Sequence, residues 1–225
     1  MMRVSENLAT ITNRIEEAAS HAGRNPNEIK IIAVTKYVSM ERAEEAVEAG
    51  IIDLGENRDE GLNAKYEAIG NRAKWHFIGS LQTRKVKLVI DKIDYIHSLD
   101  RESLAKEIDR RTSKTVNCFV QVNVSGEESK HGLEPESVIP FIEALAVYKN
   151  VRVCGLMTMA PLTEDREVLR ACFRRLAECK SRVQALHLDY APCNELSMGM
   201  SNDFDIAIEE GATMVRIGTA LVGEE

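Results

Sequence analysis

A regular alternation of short apolar runs with longer amphipathic segments is the feature that most constrains the fold. Eight runs have the length and residue types of buried β-strands, and most intervals between them show apolar residues at helical spacing. Strands that alternate with helices predict a parallel sheet. The predicted strands are residues 31–36, 52–55, 75–78, 95–98, 116–123, 151–157, 193–197 and 214–216.

Eight such repeats in 225 residues predict an α/β fold that closes into a (β/α)₈ TIM-type barrel. An open, doubly wound sheet is the alternative. The tail after the eighth predicted strand is too short for a full covering helix. The segment 2–21 places Leu8, Ile11, Ile15 and Ala18 on one face. We therefore expect an extra N-terminal helix that covers the gap, with residues 1–225 forming a single domain.

Composition and motifs exclude several classes of protein. A net charge of −7 argues against nucleic acid as a partner, because binding to phosphate backbones needs a basic face. No apolar stretch reaches the roughly 20 residues that span a bilayer, and no signal-peptide pattern is present, so we expect no membrane association. Five scattered cysteines without a C-x-x-C pair indicate reduced thiols and a cytoplasmic location. The histidines lack ligand spacing, so no metal site is expected.

Lys36 is the first candidate site residue, because it ends an apolar predicted strand, residues 31–36. Burying a lysine is costly, so we expect it where the strand opens into a site. A desolvated lysine loses its proton more readily and can form a Schiff base with a carbonyl compound. The alternative is a solvated lysine at a strand exit.

Loops near the other end of the chain carry residue types that hold phosphate. Glycines let backbone N–H groups approach an anion, and phosphate sites after strands seven and eight recur in this barrel fold. Together with the amine of Lys36, these loops suggest pyridoxal 5′-phosphate as cofactor. The alternative is that Ser201 caps a helix and Gly218 serves a turn. The candidate phosphate residues are Ser197, Gly199, Ser201, Gly218 and Thr219.

Three further residues are candidates for the face of the cofactor. Arg216 lies between Val215 and Ile217, so we expect it to face inward. A guanidinium only donates hydrogen bonds, and it would keep a pyridine nitrogen unprotonated and the cofactor a weak electron sink. His76 and Asn57 are candidates to line the site, although His76 could equally be a hydrogen-bonded core residue.

Several motifs in register carry a resemblance to a known family across nearly the whole chain. The chain resembles the pyridoxal 5′-phosphate homeostasis proteins (YggS/PROSC-type), which are related to the barrel domain of alanine racemase. The family usually has Tyr-Val-Gln where this chain has Arg58-Asp59-Glu60. The matching motifs are Ala33-Val34-Thr35-Lys36, Gly55-Glu56-Asn57, residues 75–82, Val120-Gln121-Val122-Asn123, Gly155-Leu156-Met157, residues 196–201 with Asp203, and Val215-Arg216-Ile217-Gly218.

The resemblance implies a fold-type III barrel with pyridoxal phosphate bound to Lys36 as a Schiff base. It implies that Arg216 faces the pyridine nitrogen and that Asn57 and His76 lie around the ring. The phosphate would be held by Ser197, Gly218 and Thr219.

The resemblance also implies a role in intracellular vitamin B6 homeostasis, as a carrier or buffer with little or no turnover and no catalytic residue of its own. Apo pyridoxal-phosphate enzymes are the expected acceptors, and we expect a monomer or a weak dimer. The alternatives are an amino-acid racemase-like enzyme and a Schiff-base aldolase. A racemase needs acid–base groups on both faces of the substrate carbon, and no evident second group accompanies Lys36, although Tyr37 follows it in the sequence.

Overall fold

Eight parallel strands close into a barrel in the computed structural model, which describes residues 2–127 and 131–223. Each strand pairs with its neighbour in chain order, and the last strand pairs with the first. The predicted (β/α)₈ barrel is therefore confirmed, and the open-sheet alternative is excluded. The strands are β1 Lys30–Val34, β2 Asp53–Glu56, β3 Lys74–Phe77, β4 Tyr95–Leu99, β5 Val116–Gln121, β6 Val151–Met157, β7 Glu195–Ser197 and β8 Met214–Ile217.

Helices cover the outside of the barrel. The predicted extra helix is confirmed as α1, which packs against the two helices that follow β7 and β8. Its side-chain amide at Asn7 donates to the carbonyl oxygen of Leu221 over 2.8 Å. The helices are α1 Val4–His21, α2 Met40–Glu48, α3 Asp59–Ile69, α4 Val86–Val89, α5 Glu102–Arg111, α6 Val138–Ala144, α7 Arg166–Gln184, α8 Phe204–Glu209 and α9 Thr219–Val222.

Two apolar clusters hold the structure together. The larger lies between the barrel and its helices and includes Leu54, Ile96 and Leu176. A smaller one contains Ile32 and Phe119 together with Cys154, Met157 and Met214. Adjacent residues of β1, Ile32 and Ala33, belong to different clusters, as expected when successive side chains point to opposite faces of a strand. The smaller cluster therefore fills the barrel interior.

Three predicted strands end or begin two residues away from the expected position, whereas the bounds of the others differ by at most one residue. β1 stops at Val34, so Lys36 lies two residues beyond the strand. The Thr35 N–H still donates to the carbonyl of Gly55 (3.0 Å), but the chain then turns through Tyr37, whose φ is 69°. β7 begins at Glu195 rather than at Cys193, because Cys193 has a φ of 48°. β5 ends at Gln121, two residues early.

All five cysteines are buried. Burial raises the pKa of the thiols at Cys118, Cys154, Cys179 and Cys193. Within residues 2–127 and 131–223, no helix is long and apolar enough to cross a membrane. The same described residues contain no group of three or more His, Cys, Asp or Glu side chains that could hold a metal ion.

Candidate functional site

A cavity of about 1350 Å³ lies at the C-terminal ends of the strands, the end at which barrels of this type bind their ligands. Five of the eight predicted cofactor-binding residues line it. They come from the loops after β1, β2 and β8, from β8 itself or from the first residue of α9, and the fold brings them together from both ends of the chain. These five are Lys36, Asn57, Arg216, Gly218 and Thr219.

Lys36 is exposed on the wall of this cavity. Its Nζ atom lies 5.7 Å from the centroid of the Tyr37 ring. The sequence predicts a desolvated amine at a strand end; that detail is wrong, because β1 ends at Val34 and Lys36 is exposed in the turn that follows. The amine is therefore accessible to a ligand that enters from solvent.

A buried ion pair holds the backbone just before Lys36. Lys65 and Glu56 are 6% and 1% exposed, and their charged atoms lie 2.8 Å apart. Lys65 also donates to the carbonyl oxygen of Thr35 over 2.8 Å. The hydroxyl of Thr35 donates to the same carboxylate oxygen of Glu56 over 2.7 Å. A network of charge-assisted hydrogen bonds thus fixes the residue that precedes the amine.

Arg216 is buried in β8, yet its side chain reaches the cavity. The guanidinium donates to the hydroxyl of Ser197 (2.6 Å) and to the carbonyl oxygen of Thr158 (2.9 Å). Burial lowers the pKa of Arg216 to about 10, against the opposing charge of Asp203. The side chain therefore stays protonated at neutral pH and, as predicted, faces inward.

Ser201, Gly218 and Thr219 line one region of the cavity. The alternative in which Ser201 is only a helix cap is wrong, because α8 begins at Phe204 with Asp203 at its N-cap position. Ser201 is half-buried and Thr219 is exposed, so hydroxyl donors from two loops are available to an anion. Their contact with phosphate stays a prediction.

Three of the predicted residues, His76, Ser197 and Gly199, lie behind the cavity wall rather than on it. The Gly199 carbonyl accepts a hydrogen bond from the backbone N–H of Arg216 over 3.0 Å. Gly199 has a φ of 91°, and a Cβ there would lie 2.6 Å from that of Ala207. The glycine is therefore needed for the close approach of this loop to α8. Any direct contact of these three residues with a ligand remains a prediction.

His97 is a partner that the sequence analysis missed. Its Nε2 lies 2.9 Å from Nδ1 of His76, and its Nδ1 lies 2.9 Å from the hydroxyl oxygen of Ser197. Nε2 of His76 in turn lies 2.9 Å from a carboxylate oxygen of Asp53. His76 and His97 are each the third residue of their strand. A histidine at the same position in two consecutive strands was therefore the sequence signal for this pairing.

Burial lowers the pKa of both imidazoles. For His76 the nearby carboxylates of Asp53 and Asp94 oppose the effect, and Lys30 adds to it. For His97 the pKa falls well below its usual value, and the neighbouring His76 and Arg216 lower it further. Both rings are therefore neutral at neutral pH.

A second cavity, of about 620 Å³, adjoins the first and shares Asn57 and Ser80 with it. Tyr37 lines this second cavity, and its hydroxyl accepts a hydrogen bond from the side-chain amide of Asn57 over 3.3 Å. That hydrogen bond, with the charges of Arg58 and Lys36, lowers the pKa of Tyr37. Tyr37 is thus a polar group beside the amine of Lys36. The orientation of its side chain could not be predicted from sequence spacing alone.

Comparisons with known proteins agree with this geometry. Residues 7–225 match the family model for the alanine racemase N-terminal domain. The chain is 44% identical over 227 residues to the pyridoxal phosphate homeostasis protein of Aquifex aeolicus, covering 99% of each chain. It is 40% identical to the protein of the same name from Pseudomonas aeruginosa, covering 99% of this chain and 96% of that one.

The structure of PipY from Synechococcus elongatus, solved with pyridoxal phosphate bound, superimposes with a TM-score of 0.84 at 30% identity, covering 98% of this chain and 100% of that chain. These relatives match along nearly their full length. The predicted resemblance is confirmed, and the chain belongs to the family of pyridoxal phosphate homeostasis proteins, whose barrel is that of the alanine racemase N-terminal domain.

Proposed function

We propose that this chain binds pyridoxal 5′-phosphate through Lys36 and serves pyridoxal phosphate homeostasis as a carrier or buffer. The observation that carries the proposal is that an exposed amine, a buried guanidinium and hydroxyl donors surround one cavity. A cavity of about 1350 Å³ exceeds the few hundred Å³ that a small ligand fills. The homeostasis name of the relatives and the ligand bound by PipY support the same role.

The chemistry of binding follows from Lys36. Lys36 would hold the cofactor through its amine, which can condense with an aldehyde to a Schiff base with release of one water molecule. The link is reversible because water or another amine can displace lysine. An exposed Lys36 leaves that exchange open, which suits release to an acceptor better than it suits protected catalysis.

Arg216 supports a carrier in a second way. A guanidinium has no acceptor atom, so it can only donate to the lone pair of a pyridine nitrogen. An unprotonated nitrogen makes the ring a weak sink for electrons from a carbanion. Arg216, with its pKa of about 10, stays charged and thereby limits turnover. Ser201, Gly218 and Thr219 would hold the phosphate.

Release to apo pyridoxal-phosphate enzymes is the proposed use of the bound cofactor. The cavity rim carries exposed apolar side chains at Met159, Leu162 and Met200, which leave the mouth open. The five buried cysteines, with no C-x-x-C pair among them, fit a reducing compartment, so we place the protein in the cytoplasm.

The racemase-like alternative keeps one observation in its favour. Tyr37 lies beside Lys36 and has a lowered pKa caused chiefly by the hydrogen bond from Asn57. A tyrosine near the lysine could act as the second acid–base group. This alternative predicts inversion of amino acids at a rate that falls sharply in Tyr37→Phe. The absence of inversion above a protein-free blank would eliminate it.

Absorption spectroscopy tests the proposed function. Purified protein supplied with pyridoxal phosphate should gain a visible band that borohydride bleaches. Lys36→Ala should lack the band, and Lys106→Ala, a change of an exposed lysine on α5, should retain it. The loaded protein should then restore activity to an apo enzyme. A protein that stays colourless after the addition of pyridoxal phosphate would overturn the proposal.

A further inference from the structure

Five side chains form a continuous hydrogen-bonded chain through the interior of the barrel. The links run from Asp53 through His76, His97 and Ser197 to Arg216. Successive polar atoms lie 2.9, 2.9, 2.9 and 2.6 Å apart. We call these five residues the relay. Each is less than a tenth exposed, so water does not substitute for its members.

The two ends of the relay fix the position of every proton between them. A guanidinium only donates, so the hydroxyl oxygen of Ser197 accepts from Arg216 and its proton goes to Nδ1 of His97. His97 is then protonated at Nε2 and donates to Nδ1 of His76. His76 in turn is protonated at Nε2 and donates to the carboxylate of Asp53. Each link contains one donor and one acceptor, with both imidazoles neutral.

Packing fixes the two rings as well. His76 is stacked on Tyr95 with the ring centroids 4.4 Å apart and the planes 7° apart. His97 is stacked on Phe119 at 4.4 Å and 21°. Rotation of either imidazole would break its ring stack and two hydrogen bonds. The side chains of the relay are therefore held in one conformation.

We propose that His76 and His97 are positioning residues that orient the guanidinium of Arg216 through Ser197. Ser197 thus belongs to the support of Arg216 and not to the phosphate site. The guanidinium presents its remaining N–H groups to the cavity in one orientation, set by Ser197 on one side and by the Thr158 carbonyl on the other. The benefit to the ligand rests on the proposed binding of pyridoxal phosphate.

Nitrogen-15 NMR of the ligand-free protein tests the relay itself. Both buried histidines should show the tautomer protonated at Nε2 alone, unchanged between about pH 6 and 8. The exposed His21 and His187 provide reference signals in the same spectra. Protonation of either buried ring at Nδ1 would overturn the inference. This result does not depend on whether the chain binds pyridoxal phosphate.

The variant Ser197→Ala tests whether Ser197 positions Arg216 or contacts the phosphate of the ligand. Loss of the hydroxyl removes one hydrogen bond, so we expect binding to weaken by about tenfold for pyridoxal phosphate. Pyridoxal, which lacks the phosphate, should weaken by the same factor, and the absorption band should shift. A loss confined to pyridoxal phosphate would instead make Ser197 a phosphate ligand and overturn the proposal. If the wild-type chain binds neither compound, the proposed function fails and the NMR result alone decides the relay.

Two substitutions of His97 provide a matched pair. His97→Asn places an amide oxygen near the position of Nδ1 and keeps an acceptor for Ser197, whereas His97→Gln extends its amide toward His76 instead. Both lose the ring stack on Phe119. We expect His97→Asn to recover most of the affinity and the band position lost in His97→Gln, with equal circular dichroism spectra confirming the fold. Equal defects in the two variants would show a structural role only and would overturn the positioning role.

Discussion

Removal of the Lys65 charge should destabilise the protein far more than removal of a surface lysine. Lys65→Met keeps an unbranched side chain of similar length but leaves Glu56, which is 1% exposed, as a buried carboxylate without its cation. Breaking a buried pair in this way typically costs about 3–5 kcal/mol. The Thr35 carbonyl also loses its 2.8 Å hydrogen bond from Lys65, which adds about 1 kcal/mol.

We therefore expect the free energy of unfolding to fall by about 4–6 kcal/mol, a large part of the roughly 5–15 kcal/mol that stabilises a typical domain. Urea titration followed by circular dichroism, on protein without ligand, measures this change. Lys30→Met is the matched control, because Lys30 forms a 3.6 Å pair with Glu195 and is 44% exposed. Exposed pairs contribute about 0–1 kcal/mol, so the control should lose little.

The double variant Glu56→Gln with Lys65→Met completes the test. Without the carboxylate there is no uncompensated charge, so much of the lost stability should return. If Lys65→Met and Lys30→Met lose similar amounts, the buried ion pair does not hold this part of the barrel, and the account of how the backbone before Lys36 is fixed is wrong.

One further substitution and one change of pH should each lower the stability of the protein. In Gly79→Ala the new Cβ would lie 2.5 Å from the carbonyl oxygen of Asn57, so we expect a loss of about 1–3 kcal/mol in urea unfolding and weaker ligand binding. Acidification should destabilise the protein, because lowered pKa values keep His76 and His97 neutral in the fold while the unfolded chain takes up protons below about pH 6.5. From about pH 7 to 5.5 we expect a loss of about 1 kcal/mol per histidine.

The glycine substitution and the acidification experiment each have a control and a result that would contradict the prediction. Gly218→Ala places its Cβ 3.5 Å from that of Val34, an ordinary contact, so its stability should change by less than about 0.5 kcal/mol. Equal losses in the two glycine variants would refute the packing argument. His97→Asn removes one of the two histidines and should halve the acid effect; a stability that is flat or rises on acidification contradicts the burial of neutral rings.

The barrel could be predicted from sequence because it follows from the length and spacing of apolar runs. The runs that became β6 and β8 were placed almost to the residue, and α1 was predicted from the apolar face that includes Ile11 and Ile15. The sequence predicts Lys36 at the end of a strand because the β-branched Thr35 continues the run before it. The turn depends on a positive φ at Tyr37, which this residue type does not signal.

The candidate site was predictable only where side chains leave the strand ends. Lys36, Arg216 and Thr219 reach the cavity, as parallel topology requires. The sequence predicts Ser197 at the phosphate, and this contact stays a prediction; its hydroxyl lies within hydrogen-bonding distance of His97, a residue 100 positions away in the sequence. Strand periodicity predicts which face of the sheet each residue occupies. It does not predict which residues of different strands lie at the same level along the barrel axis, so such contacts could be seen only in the structure.

The burial of the cysteines has a consequence for chemical selectivity. An aldehyde reacts with thiolates as well as with amines, and a low-pKa thiol near the cavity would compete for it. Burial raises the pKa of Cys118 and Cys154, and no cysteine is among the described residues that line the cavity. Under the proposed function, an aldehyde that enters the cavity would therefore meet the amine of Lys36 and no thiol among the described residues that line it.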